Sequence, residues 1–204
     1  MLFSLFLSQP LTFLLLAAAL ILSLSFHEAA HAFVSNRLGD PTAKSLGRLT
    51  LNPLVHLDPL GTLLLLFAGF GWGKPVPFNP TYLKNPQRDS ALISFAGPFA
   101  NFMLAIVFTL IIKMVGTSGI MGSFLYLAIF YNLLLGFFNL IPLHPLDGFK
   151  VVNGFLPENL SYQWMQIAPY GIWILLLLIL TGATGNFLNS FITFALNLLG
   201  IPRL

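Results

Sequence analysis

Three ionisable residues that could bind and use a metal ion lie within five positions of one apolar stretch. His27 and His31 are four residues apart, so on a helix they share one face and can converge on a single ion. Glu28 follows the first histidine directly and can reach a water bound to that ion. This is the H-E-x-x-H arrangement of zinc hydrolases, in which the glutamate acts as the general base. The pattern predicts a hydrolytic zinc site.

The surroundings of this motif are those of a membrane protein. The run from Leu11 to Phe26 contains no charged residue, and ionisable groups at membrane depth are costly and usually functional. Of the 204 residues, 57% are hydrophobic and 7% are charged, whereas soluble domains carry about 25% charged residues. The mean hydropathy is +0.87. We therefore expect an integral, multi-pass membrane protein, and a metal site rather than two packing histidines.

Composition also limits the chemistry and the partners. Cysteine is absent, so disulfides and thiolate ligands are excluded, and His and carboxylate groups must hold the metal. The net charge of +3 comes from few residues without a basic cluster, so no nucleic-acid partner is expected. The length suits one compact bundle. We expect a single domain over residues 1–204, with a catalytic core at about 11–149 and accessory helices at about 150–204.

Apolar stretches predict an all-α polytopic membrane protein with about five to six transmembrane helices. The first span is expected from about Leu11 to Phe33, with the zinc site inside the membrane. Residues 62–70 are too few for a complete crossing and predict a re-entrant segment. Further spans are expected at about 91–112, 120–141 and 167–180. Whether residues 187–199 cross completely stays open.

The distribution of basic residues predicts an active site toward the cytoplasm. If residues 62–70 re-enter, the basic groups before and after them share one face with the end of the first span. The positive-inside rule places that face in the cytoplasm, and Lys113 alone falls on the other side. The basic residues assigned to the cytoplasmic face are Arg37, Lys44, Arg48, Lys74, Lys84, Arg88, Lys150 and Arg203.

A zinc hydrolase needs a third protein ligand and keeps one position for water. The count of crossings returns the segment from His144 to Gly148 to the face of His31. Spacing alone does not choose between two ligands there. Asp147 would complete a set of two histidines and one carboxylate. His144 as the ligand would leave Asp147 as its orienting partner.

Other polar residues have two interpretations each. Asn101 lies in an apolar stretch and could bind a polarised substrate carbonyl or make an interhelical hydrogen bond. His56 and Asp58 lie in a segment rich in proline and glycine and could line the site or orient a ligand. Alternatively, they are an interfacial histidine and a helix cap.

Four motifs, taken in order, carry a resemblance to a known family. They are His27-Glu28-x-x-His31, Asn52-Pro53-x-x-His56-x-Asp58-Pro59-x-Gly61, Gly97-Pro98-x-x-Asn101 and Leu146-Asp147-Gly148. With these motifs, the stretch from about Leu11 to Phe149 resembles the site-2 protease family of intramembrane zinc metalloproteases, peptidase family M50. The resemblance is to the small prokaryotic branch without PDZ or CBS domains.

The resemblance implies an intramembrane zinc metalloendopeptidase of a prokaryotic cell membrane, which hydrolyses peptide bonds within or near transmembrane segments. It implies one Zn²⁺ on His27, His31 and Asp147, with Glu28 as general base and Asn101 near the substrate. Expected partners are transmembrane protein or peptide substrates and the lipid bilayer. The alternatives are a catalytically inactive membrane scaffold and a metal transporter. The substrate, the need for a prior cut and assembly into a homo-oligomer stay open.

Overall fold

Helices make up most of the part of the chain that the computed structural model describes, residues 2–68 and 71–202. One isolated antiparallel bridge, between Leu57 and Gly73, is the only β-type pairing in those ranges. The all-α prediction is therefore confirmed. The helices are α1 (Leu2–Ser8), α2 (Pro10–Arg37), α3 (Thr42–Ser45), α4 (Pro59–Ala68), α5 (Pro86–Val115), α6 (Gly119–Asn139), α7 (Asp147–Phe155), α8 (Glu158–Met165), α9 (Ala168–Leu180) and α10 (Ala183–Leu199).

Within the described ranges, three helices are long and apolar enough to cross a membrane, namely α2, α5 and α6. At 1.5 Å per residue they are about 30–45 Å long, against a hydrocarbon core of about 30 Å. The pair α8 and α9 passes the same test only as one span bent by 58°, which would make four. The integral membrane prediction is confirmed, and the count of five to six spans is not.

The segment predicted to re-enter the membrane begins as helix α4. Its ten residues extend about 15 Å, which is too short for a crossing. Gly69 and Phe70, the last two residues of the predicted segment, lie outside the described residues. The re-entrant path therefore stays a prediction.

A cluster of buried apolar side chains joins α5, α6 and α10. The direction of α10 follows from Gly200, the residue directly after it. A Cβ atom placed on Gly200 would lie 3.3 Å from Nζ of Lys113. The helix therefore ends beside Lys113, at the end of the bundle opposite the H-E-x-x-H motif. Arg203 was expected on the motif side and lies outside the described residues. The buried cluster comprises Ala105, Ile112, Leu125, Ile129, Leu133, Leu188, Ile192, Ala195, Leu196 and Ile201.

Residues 71–79, which we call the strap, run without helix toward α5. The strap is held at both ends by hydrogen bonds. The backbone N–H of Lys74 donates to the carbonyl of His56 at 2.8 Å, and that of Asn79 donates to Oδ2 of Asp40 at 2.8 Å. Burial would raise the pKa of Asp40, but hydrogen bonds from Thr42, Asn79 and Ser35 lower it below its ordinary value.

Candidate metal centre

The structure brings three ligand atoms to one point. Nε2 of His27 and Nε2 of His31 lie 3.0 Å apart, one turn apart on α2. Oδ2 of Asp147, the first residue of α7, lies 3.2 Å from the first nitrogen and 3.3 Å from the second. Within the described residues these three form the one cluster of His, Asp or Glu groups suited to a metal ion. His144 does not join it.

The hydrogen bonds of the two Nδ1 atoms determine which nitrogen of each histidine faces the third ligand, Asp147. Nδ1 of His27 lies 2.7 Å from Oδ1 of Asn101, and Nδ1 of His31 lies 2.7 Å from the carbonyl of Ile93. Because an oxygen of these kinds only accepts, each Nδ1 carries the proton and donates it. Each Nε2 is then an unprotonated lone pair that points to the centre. A metal-binding histidine likewise binds the ion through one ring nitrogen and donates the N–H of the other to an oxygen.

The orientation of the Asn101 amide is fixed by its neighbours. Its Nδ2 donates to the carbonyl of Ser23 at 3.0 Å and to Oδ1 of Asn132 at 2.9 Å. Oδ1 is therefore the atom left to accept from His27. Asn132 in turn donates to Oγ of Ser23 at 2.8 Å and to the carbonyl of Ala128 at 2.8 Å. This chain of bonds joins α2, α5 and α6 behind the first histidine, and Asn101 has no exposed surface.

The donor set fits a zinc ion. A tetrahedral ion bonded at about 2.0–2.1 Å holds two ligand atoms about 3.3–3.4 Å apart, close to the separations of 3.0–3.3 Å seen between the three atoms. Two lone pairs and a carboxylate oxygen at such distances repel one another unless a cation or a proton lies between them. Two imidazoles and one carboxylate also leave a fourth position for water or substrate, as catalytic zinc sites do.

Two glycines make the close approach of these elements possible. A Cβ atom on Gly97 would lie 2.4 Å from Nε2 of His31 and 2.6 Å from Cε1 of His27. A Cβ atom on Gly148 would lie 2.2 Å from the carbonyl oxygen of Leu140. Both distances are far below van der Waals contact, so a side chain at either position would displace a histidine or the start of α7. The G-P-x-x-N and L-D-G patterns therefore each contain a glycine that the site requires.

Glu28 is held by the strap and not by another helix. Its Oε2 accepts a hydrogen bond from the backbone N–H of Val76 at 2.9 Å. Prolines precede and follow Val76, so this N–H is the one donor that the strap offers between Lys74 and Phe78. Arg48 is 5% exposed, donates to the carbonyl of Lys74 and interacts electrostatically with Glu28. Arg48, which the sequence placed only among the basic residues of the cytoplasmic face, thus supports the predicted base Glu28.

A cavity of about 140 Å³ opens onto the metal cluster and Glu28. Sequence reasoning did not select three polar residues that line it, Ser94, Asn139 and Lys150, or the strap residues at its edge. The lysine lies one turn after Asp147 on α7, a spacing that could have identified it. The cavity is lined by His27, Glu28, His31, Pro75, Val76, Phe78, Ile93, Ser94, Asn139, Pro145, Asp147 and Lys150.

The remaining residues singled out from the sequence do not belong to the metal cluster. Oδ1 of Asp58 accepts from the backbone N–H of Gly61 at 2.7 Å, a capping contact at the start of α4. His56 is fully buried, and its Nε2 donates to the carbonyl of Thr50 at 2.9 Å. His144 packs against the ring of Phe149 at 5.7 Å.

Comparisons with known proteins identify relatives over most of the chain. The family model of peptidase family M50 matches residues 15–122 and 112–180. A Bacillus subtilis protein named "Putative zinc metalloprotease YwhC" is 40% identical over 186 residues, which cover 86% of this chain and 85% of the relative. "Putative zinc metalloprotease Rip2" of Mycolicibacterium smegmatis is 29% identical over 188 residues, with 84% and 68% covered. No solved structure gives a significant match.

Proposed function

The chain belongs to peptidase family M50, and from this membership and the site geometry we propose that His27, His31 and Asp147 hold a zinc ion beside Glu28 as general base. The chain is an intramembrane zinc metalloprotease. One observation carries the assignment of residues. The three ligand atoms and the carboxylate of Glu28 border one cavity, although they come from two helices separated by more than a hundred residues.

The chemistry divides between the ion and the residues around it. When bound, zinc would supply a Lewis acid that polarises the peptide carbonyl and lowers the pKa of a water ligand toward about 7. Glu28 accepts the proton of the attacking water and later delivers a proton to the leaving amine nitrogen. The N–H of Val76 orients the carboxylate of Glu28 for both transfers.

Asn101 acts, in this proposal, through His27. Its predicted contact with the substrate stays a prediction. The hydrogen bond to Nδ1 of His27, the absence of exposed surface and the occupied Nδ2 all support a positioning role. By keeping the proton on Nδ1, Asn101 keeps Nε2 free to bind metal and fixes the plane of the ring.

The substrate is a transmembrane segment of a membrane protein that unwinds near the site. His27 lies ten residues before the end of α2, about 15 Å along the helix axis, so the reacting peptide bond is below the surface of the bilayer. A hydrogen-bonded helix engages its carbonyls and amides internally, and a substrate must therefore unwind to present one. The strap contributes extended backbone at the edge of the cavity against which such a segment can lie.

The finer topology follows from the distribution of basic residues and from the packing of α10. We place the active site toward the cytoplasm and take α10 as a fourth crossing, supported by its packing along α6 and its end beside Lys113. We propose a single domain over residues 1–204. Helix α7 belongs to its catalytic core because Asp147 is the first residue of α7.

Zinc removal and restoration test the proposed function. The purified protein in lipid vesicles is mixed with a helical transmembrane peptide, and the products are weighed by mass spectrometry. We expect cleavage inside the apolar stretch, loss of cleavage with a chelator, and recovery on adding about one equivalent of Zn²⁺. Cleavage that persists fully after the metal has been removed to trace levels would contradict a zinc mechanism.

A further inference from the structure

One cation in the active-site cavity has no part in the proposed chemistry so far. Lys150 lies on α7, three residues after Asp147, so both side chains lie on the same face of that helix. Its Nζ lies 4.5 Å from the centre of the Phe78 ring, a strap residue that lines the same cavity. The ring face attracts the ammonium group and holds it at the edge of the cavity.

The two cations near the site lie beside different carboxylates. Lys150 interacts electrostatically with Asp147, and Arg48 interacts with Glu28. Within the described parts of the chain, no carboxylate oxygen lies within 4 Å of Nζ of Lys150. The ammonium group is therefore held by an aromatic ring and not by an ion pair, which leaves its hydrogen-bond donors free toward the cavity.

The reaction creates a negative charge that these donors can meet. When the water oxygen bonds to the carbonyl carbon, the π electron pair of the carbonyl moves onto its oxygen. When the carbon–nitrogen bond breaks, its electron pair leaves with the nitrogen, which takes the proton held by Glu28, and the oxyanion re-forms a carbonyl. Donors aimed at this developing charge are often the largest single contribution to catalysis. The side-chain amide of Asn101 is already fully engaged with His27, Ser23 and Asn132.

We propose that Lys150 is a further catalytic residue, whose ammonium group stabilises the oxyanion of the tetrahedral intermediate. The inference rests on the proposed function and adds one residue to the same site. Lys150 donates to the carbonyl oxygen from α7, and Glu28 on α2 handles the protons. The ring of Phe78 keeps the lysine side chain extended over the cavity before the substrate arrives, so less reorganisation is needed in the transition state.

Replacing Lys150 with methionine tests this role while keeping the length of the side chain. The cleavage rate constant kcat of Lys150→Met is expected to fall about 100-fold with KM changed less than about threefold. Lys150→Arg should recover much of the loss because it keeps the charge. Lys84→Met, an equal change of charge on an exposed residue, serves as the matched control and should behave as wild type.

A binding measurement separates transition-state stabilisation from a structural role. The probe is a leucine-flanked phosphinic peptide, whose tetrahedral anion replaces the reacting amide. Lys150→Met should raise the Kd of this phosphinic peptide by about the factor by which it lowers kcat/KM, with zinc content unchanged. Unchanged kcat, unchanged phosphinate affinity or loss of zinc would each overturn the proposal. Failure of the wild type to cleave any peptide would refute the proposed function instead, and the phosphinate measurement would still test Lys150.

Discussion

The two sides of the active-site cavity are built in different ways. The metal side consists of His27, His31, Asp147 and Asn101, all carried by helices. The two Nδ1 atoms and the Asn101 amide all have hydrogen-bond partners in neighbouring helices. The base side consists of Glu28 together with the strap and Arg48. Here one backbone N–H holds the carboxylate, and Nε of Arg48 is buried without a hydrogen-bond partner.

This difference separates what must stay fixed from what must admit a substrate. A zinc site needs ligand atoms at set distances, and rigid helices with saturated hydrogen bonds provide them. A peptide that enters from the bilayer needs an edge that can shift, and a segment held at a few points opens at lower cost than a helix does. We therefore expect substitutions on the metal side to act on zinc and those on the base side to act on turnover.

The largest effect is expected from the ligands themselves. Asp147→Ala or His27→Ala removes one of three protein donors, so zinc should fall from about one ion per chain to below about a tenth. Cleavage should fall to background. Zinc content is measured by mass spectrometry of the metal in the purified protein.

His144→Ala is the matched control for the ligand substitutions. His144 is close to Asp147 in sequence but does not join the metal cluster, so this variant should keep its zinc. Full zinc in Asp147→Ala together with loss of zinc in His144→Ala would contradict the ligand assignment.

The next effect concerns the support of the first ligand. Asn101→Ala leaves Nδ1 of His27 without its acceptor, and zinc affinity should weaken about 10–100-fold. A competition titration with a zinc-binding dye measures the change.

Asn139→Ala provides the comparison, because Asn139 lines the cavity and makes no contact with a ligand ring nitrogen. Its zinc affinity should stay within about threefold of wild type. If the two asparagine variants weakened zinc binding equally, the metal side would not be organised as described.

The smallest effect is expected from Arg48, which supports the base side without taking part in proton transfer. Arg48→Gln removes a charge-assisted hydrogen bond to the strap and the positive charge beside Glu28, so kcat should fall about tenfold, or about 1.4 kcal/mol. Arg48→Lys should lose less, and zinc content should be normal in both. Loss of zinc from Arg48→Gln with normal stability would show that the two sides do not act separately.

The residues of the metal side can be recognised in the sequence because their chemistry is carried by side chains at characteristic spacings. The first span was expected over 11–33, and α2 is Pro10–Arg37. Of the two candidates for the third ligand, the structure brings Asp147 to the histidines and leaves His144 outside the cluster. The helix pattern could not make that choice, since it depends on how the turn between α6 and α7 folds.

The base side is much harder to predict. Val76 contributes only a backbone N–H, which any residue other than proline also has, so no pattern of residue types marks it. Arg48 was counted with the basic residues that set topology, although the structure buries it beside Glu28. The count of five to six spans is not confirmed, because apolar composition indicates burial in lipid without giving helix length or bend, as in α8 and α9.

Zinc content measured together with peptide cleavage in the wild type and in Glu28→Gln tests the central claim most directly. The substitution keeps the shape of the side chain and all three ligands, and removes the group that takes and returns the proton. We predict about one zinc per chain in both proteins and cleavage of the transmembrane peptide by the wild type alone. Cleavage by Glu28→Gln at a rate near that of the wild type would contradict the account.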